Sequence, residues 1–156
     1  MIKVLFICHG NICRSAIAEY LFKDMIRKNG LQDLYYVESA ATSTEELGCP
    51  VYPPARRLLN QHGIDCSGHR ARQITRADYD RFDLLIAMDG RNIRNMERIF
   101  GGDPEGKVHL LSEYGTFSGE IEDPWYTGNF EKVYGQIEDG LMGLLRLETH
   151  VLEGGR

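Results

Sequence analysis

The sequence predicts an α/β fold: a four-stranded parallel sheet with helices on both faces. Three observations predict it. Short runs rich in Val, Ile, Leu and Phe break off abruptly into polar loops, stretches with apolar residues every three or four positions follow them, and those stretches end at glycine. Strands that alternate with helices favour parallel pairing and right-handed crossovers, and ligands then bind beyond the carboxyl ends of the strands.

The first strand is Lys3 to Ile7, an apolar run that stops at Cys8 and the loop containing Gly10. After Arg14 the apolar residues Ile17, Ala18, Leu21, Phe22 and Met25 recur at helical spacing, and Gly30 ends the helix. Tyr35 to Val37 reads as a second strand, leading through a loop to a helix near Ala55 to His62 that Gly63 closes. Leu84 to Met88 is the third strand, Asn92 to Phe100 a helix stopped by Gly101 and Gly102, and Lys107 to Leu111 the fourth strand. The last helix presents Phe130, Val133, Ile137, Leu141 and Leu144 or Leu145 on one face. Gly135, Gly140 and Gly143 each weaken it by roughly 1 kcal/mol relative to Ala, so packing must hold it.

At 156 residues, 42% of them hydrophobic, the chain is expected to form one domain over residues 1–156 with one active site. No apolar run approaches the roughly 18 to 20 residues that cross a bilayer, and Met1 to Cys8 is too short for a secretory apolar region. A cytoplasmic protein without membrane insertion is expected, with Cys8, Cys13, Cys49 and Cys66 as free thiols. The net charge of −5 and the lack of any run of five basic residues argue against nucleic acid as a partner. A zinc site from Cys8, His9 and Cys13 lacks a second well-spaced ligand pair, and no GxxxxGK[ST] motif supports ATP, so neither metal nor cofactor is expected.

The segment CHGNICRS sets a cysteine, five residues and an arginine between a strand and a helix start. That spacing lets the backbone from Cys8 through His9, Gly10, Asn11, Ile12 and Cys13 to Arg14 curl around a tetrahedral oxyanion, with amides pointing inward at a helix N-terminus. Gly10 and Asn11 are the residues able to take unusual backbone conformations there. The helix dipole and a guanidinium are expected to hold Cys8 as a thiolate at neutral pH. Arg14 suits two equatorial phosphoryl oxygens at once, and Ser15 can cap free amides or donate to the Cys8 sulfur. Taken singly, a cysteine at a strand end is more often a small core residue and an arginine in a first helical turn is more often solvated. The joint pattern is far more specific and points to phosphoryl transfer.

Departure of an alkoxide or phenoxide requires a positioned acid, which typically contributes about 10² to 10⁴. The segment EIEDPWYTGN supplies Asp123, biased to extended backbone by Pro124, in a long loop on the same rim as Cys8. Asp before Pro alone is a common turn opener, but adjacent Trp125 and Tyr126 offer flat apolar walls for an aryl phosphate.

CHGNICRSAIAE and IEDPWY, with HGIDCSGHRARQI, FDLLIAMD and FEKVY between and after them, resemble the low-molecular-weight protein tyrosine phosphatase family nearly end to end. The resemblance implies that family's flavodoxin-like fold and hydrolysis of phosphotyrosine in proteins, with inorganic phosphate as product and inhibitor. It implies Cys8 as nucleophile, Arg14 as transition-state clamp, Ser15 as thiolate partner and Asp123 as acid, then base. It further implies that Asn11, Ser39 and His69 hold the loop in shape, and that Cys13 captures an oxidised nucleophile as a disulfide. From the residues alone, Ser39 and His69 read as structural. The pocket is expected from Ile12, Glu45, Trp125 and Tyr126, with Glu45 standing where some relatives carry an aromatic wall. Ala16 replaces a usual proline, and His9 replaces a frequent apolar residue. Two rivals share the loop. A protein arginine phosphatase carries threonine where Ile12 stands, and a thiol-dependent arsenate reductase needs relay cysteines near residues 75 to 95 that this chain lacks.

Overall fold

The computed structural model describes residues 1–154. In chain order it contains β1 (Ile2–Cys8), α1 (Arg14–Lys28), β2 (Tyr35–Ala41), α2 (Pro53–Gln61), α3 (Asp78–Arg81), β3 (Leu84–Ala87), α4 (Gly90–Phe100), β4 (Val108–Leu110), a 3₁₀ turn (Leu111–Tyr114), α5 (Pro124–Thr127) and α6 (Phe130–Leu152). The four strands run parallel in the order β2-β1-β3-β4. Chain direction across the sheet reverses beside β1, and the carboxyl end of that strand therefore opens at the crevice where α/β sheets bind ligands.

Successive residues of β1 face opposite layers. Val4, Phe6 and Cys8 pack with Ile17, Leu21 and Phe22 of α1 and Val133, Ile137 and Leu141 of α6. Leu5 and Ile7 pack on the other face with Phe82, Leu85, Met96 and Phe100. Burial on both faces is the reason β1 reads as a continuous apolar run instead of an alternating one.

The structure departs from the sequence reading at element ends. Met88, Lys107 and Leu111 lie outside their strands, β2 continues to Ala41, α5 and the rest of the 3₁₀ turn fall in the stretch read as a long loop, and α3 in a stretch given no element. Leu111 leaves the sheet to join the turn that packs on α6.

That packing also explains two glycines inside α6. A Cβ on Gly143 would lie 1.8 Å from the Tyr114 carbonyl oxygen, and one on Gly140 would lie 2.7 Å from Leu111 Cγ. The helix gives up intrinsic propensity at these positions so that the turn can approach its backbone. Nothing in the structure explains Gly135. Among the described residues, no helix is long and apolar enough to cross a membrane.

Candidate active site

β1 ends at Cys8 and α1 begins at Arg14, so residues 9–13 bridge a strand end and a helix N-terminus. The bridge curls back on itself: the Asn11 amide donates to Cys8 Sγ at 3.3 Å, and Ser15 Oγ lies 3.0 Å from the same sulfur. Of the two residues the sequence offered for a left-handed turn, Asn11 takes it, with φ of 61°, and Gly10 does not. Gly10 meets a different demand, since a Cβ there would press on Glu46 Cγ at 3.3 Å.

A non-glycine residue in that backbone region needs surrounding contacts to hold it. Buried Asn11 has them on every polar atom its side chain offers. Its Nδ2 donates to Ser15 Oγ and Ser39 Oγ, both at 2.8 Å, and its Oδ1 accepts from the Arg72 amide at 3.2 Å. Its carbonyl lies 2.7 Å from His69 Nε2, and because a carbonyl only accepts, the imidazole proton sits on Nε2. Ser39 Oγ in turn donates to Glu19 Oε1 at 2.5 Å, a buried carboxylate that also stands 3.9 Å from His69 Nδ1. Ser15, having accepted from Asn11, keeps its proton for the Cys8 sulfur.

Arg14 is only 2% exposed. Its Nη1 donates to Asp89 Oδ2 at 2.7 Å and to the Ile121 carbonyl at 2.9 Å, while Nη2 lies 3.5 Å from Asp123 Oδ2. Burial opposes the guanidinium charge, but Cys8 and the hydrogen-bonded Asp89, with Asp123 behind them, outweigh it and hold the group above its ordinary pKa. Asp89 is itself fixed, because its other oxygen caps α4 by accepting from the Asn92 amide at 2.8 Å. Cys13 meets the opposite environment: burial, then negative charge at Cys8 and Asp123, push its thiol well up.

The opposite rim comes from the segment before α6. Ile121 donates its amide to the Met88 carbonyl at 3.0 Å, which ties this segment to the end of β3. Asp123 then caps the single turn of α5 by accepting from the Trp125 amide at 3.1 Å. Trp125, 48% exposed, leans on Tyr52 with ring centroids 4.6 Å apart, and Tyr126 is 75% exposed. On the near side His9 Nε2 meets Glu45 Oε2 at 2.8 Å.

Between the rims lies a cleft lined by the buried Cys8, Ile12, Cys13 and Arg14, by Asp123, and by the exposed rings of Trp125 and Tyr126. His9, Gly10, Glu45 and Glu46 complete its lining. Asn11, Ser15, Ser39 and His69 lie behind the loop, outside the lining. A buried guanidinium, a sulfur ringed by donors and a carboxyl at one opening can bind a tetrahedral dianion and exchange a proton with whatever leaves it.

Comparison with known proteins decides the family. The model of the family described as low molecular weight phosphotyrosine protein phosphatase matches residues 3–153. The chain belongs to this family. Its relatives are named as protein-tyrosine-phosphatases, which are hydrolases. The low molecular weight protein-tyrosine-phosphatase YfkJ of Bacillus subtilis is 39% identical over 93% of this chain and 94% of its own length. The human low molecular weight phosphotyrosine protein phosphatase is 40% identical over 86% of this chain and 87% of its own. The YfkJ crystal structure superposes with a TM-score of 0.91 at 37% identity, covering 98% of this chain and 96% of that one. A Drosophila arginine phosphatase structure gives 0.85 at 34% identity, covering 94% and 98%.

Sequence reasoning missed several residues of this phosphatase site. Asp89 left a signal, since it follows a strand of a parallel sheet at the carboxyl end, where Cys8 also stands. Glu19 left a weaker one, a carboxylate four residues after Ser15 on a buried helix face. Ile121 and Arg72 reach the site through backbone atoms, which no side-chain pattern announces, and Tyr52, the residue before α2, enters only because its ring meets Trp125.

Proposed function

We propose that this chain hydrolyses phosphotyrosine in proteins, and small aryl phosphates, through a cysteinyl-phosphate intermediate. The observation that carries the reading is the convergence of the Cys8 sulfur, the Arg14 guanidinium and the Asp123 carboxyl on one cleft beside Trp125 and Tyr126.

The phosphoryl group lies in the loop from Cys8 to Arg14, with Arg14 Nη2 turning from Asp123 to its oxygens while Nη1 stays on Asp89 and Ile121. The sulfur attacks phosphorus, so an S–P bond forms as the bond to the aryl oxygen breaks. Protonated Asp123 gives its proton to that oxygen. The resulting carboxylate takes a proton from water, whose oxygen attacks phosphorus, and the S–P bond breaks. Cys8 leaves as a thiolate that receives the Ser15 hydroxyl and the Asn11 amide, with inorganic phosphate as product and competitive inhibitor. Asn11, Ser39 and His69 hold the loop's shape throughout.

Asp123→Ala is expected to lower kcat for phosphotyrosine peptides by about 10² or more. Turnover that survives unchanged reduces Asp123 to a turn residue. Similarity to an arginine phosphatase structure keeps phosphoarginine as a second reading, and the apolar Ile12 wall supports the aryl ester over it. Matched phosphotyrosine, phosphoserine and phosphoarginine peptides separate them: phosphotyrosine is expected fastest, and faster phosphoarginine cleavage reverses the assignment.

All four cysteines are free thiols, which supports a reducing, cytoplasmic setting. In it Cys13 guards the nucleophile. Peroxide converts Cys8 to a sulfenic acid and is itself reduced; the Cys13 sulfur then attacks the Cys8 sulfur, water leaves and a disulfide forms, until a thiol reductant restores both. Oxidation removes the Cys8 charge, one cause of the raised Cys13 pKa, and so eases the second step. Peptide mapping after peroxide should find Cys8 linked to Cys13, and finding neither oxidised rejects the switch.

A further inference from the structure

The backbone carrying Asp123 is clamped on two sides. On the inner side Ile121 gives its amide to Met88 and its carbonyl to Arg14. On the outer side Glu122 pairs with Lys132 Nζ at 2.6 Å and accepts from Asn129 Nδ2 at 2.9 Å. These donors lie at the residue before α6 and in the first turn of α6. The Glu122 carboxylate therefore closes the segment 122–132 into a ring through its base, and Asp123, Trp125 and Tyr126 stand on that ring.

We propose that Glu122 is a positioning residue, whose carboxylate staples the segment so that Asp123 is held at proton-transfer distance from the leaving oxygen. The proposal rests on the reading of Asp123 as the acid. Proton transfer requires hydrogen-bond reach, and small misplacements of an acid cost rate steeply. The staple is also available at every working pH. Lys132 first, and the Asn129 amide with it, hold the Glu122 carboxyl down at about 2, so it stays ionised through the usual carboxylate range and lets go only as the pH falls toward that value. Exposed ion pairs contribute little to global stability, so removing this one should loosen the segment and leave the fold intact.

Leaving groups supply the test. A good leaving group needs little help from an acid and a poor one needs much, so kcat/KM for para-nitrophenyl phosphate and phenyl phosphate separates positioning from folding. In Glu122→Gln, and from the other side in Lys132→Met, phenyl phosphate is expected to fall about tenfold and para-nitrophenyl phosphate less than about threefold, with an unchanged thermal midpoint. The charge exchange Glu122→Lys with Lys132→Glu should recover part of the loss. Equal falls on both esters, or none, overturn the proposal when Asp123→Ala in the same assay discriminates between them. If Asp123→Ala does not discriminate, the acid assignment itself fails and takes the staple's role with it.

Discussion

Cys8→Ser is expected to abolish turnover of para-nitrophenyl phosphate and phosphotyrosine peptides while inorganic phosphate still binds. The substitution removes one sulfur and nothing that holds the anion: the loop amides, Arg14 and the Asn11 contacts remain. A serine hydroxyl needs a base to become a nucleophile, and no imidazole stands there to act as one, since His69 Nε2 is committed to the Asn11 carbonyl and His9 to Glu45. Uncatalysed phosphate monoester hydrolysis is among the slowest of biological reactions, so the fall should be on the order of 10⁴ or more. Steady-state kinetics measures the loss and calorimetric titration with phosphate measures the retained site. Substantial turnover by the purified variant would exclude Cys8 as the nucleophile.

Arg14→Lys should cost about 10³ in kcat/KM and should also lower the thermal midpoint, although it preserves the charge. The guanidinium serves two groups at once. Nη1 spans Asp89 and the Ile121 carbonyl, and Nη2, which stands beside Asp123, turns with Nε to form the fork that faces the substrate. An ammonium reaches only part of that set, so either the phosphoryl oxygens lose their fork or a buried carbonyl and a capping aspartate lose their donor. An unmet buried partner costs about 1 to 3 kcal/mol. A lysine variant with near-normal kcat/KM would show that a point charge suffices and would remove the bidentate clamp from the mechanism.

The two substitutions differ in how far their surroundings were legible. The loop from Cys8 to Ser15 could be read because its strand, turn and helix start are contiguous, and burial, helical period and charge act over a few residues. Within it the residue types left two candidates for the left-handed turn, Gly10 and Asn11. Only the structure decides between them, and Asn11 carries it. Glycine removes a steric cost locally, whereas Asn11 is held in that region by contacts from Ser15, Ser39, His69 and Arg72, three of them from elsewhere in the chain.

The chain alone determined the alternation of strands and helices, the parallel sheet, and a cysteine–arginine loop at the end of its first strand, because each follows from periodicity and residue type inside a short window. Tertiary structure decided the rest. Asp89 meets Arg14 across 75 positions of sequence only because β3 pairs beside β1, and the Ile121 carbonyl arrives only because its amide bonds to the end of β3. Gly140 and Gly143, read as weak points of α6, are where the turn after β4 touches its backbone. Strand order and close approach are products of the whole packed core, and no local pattern encodes which distant carbonyl or carboxylate they will bring to a given side chain.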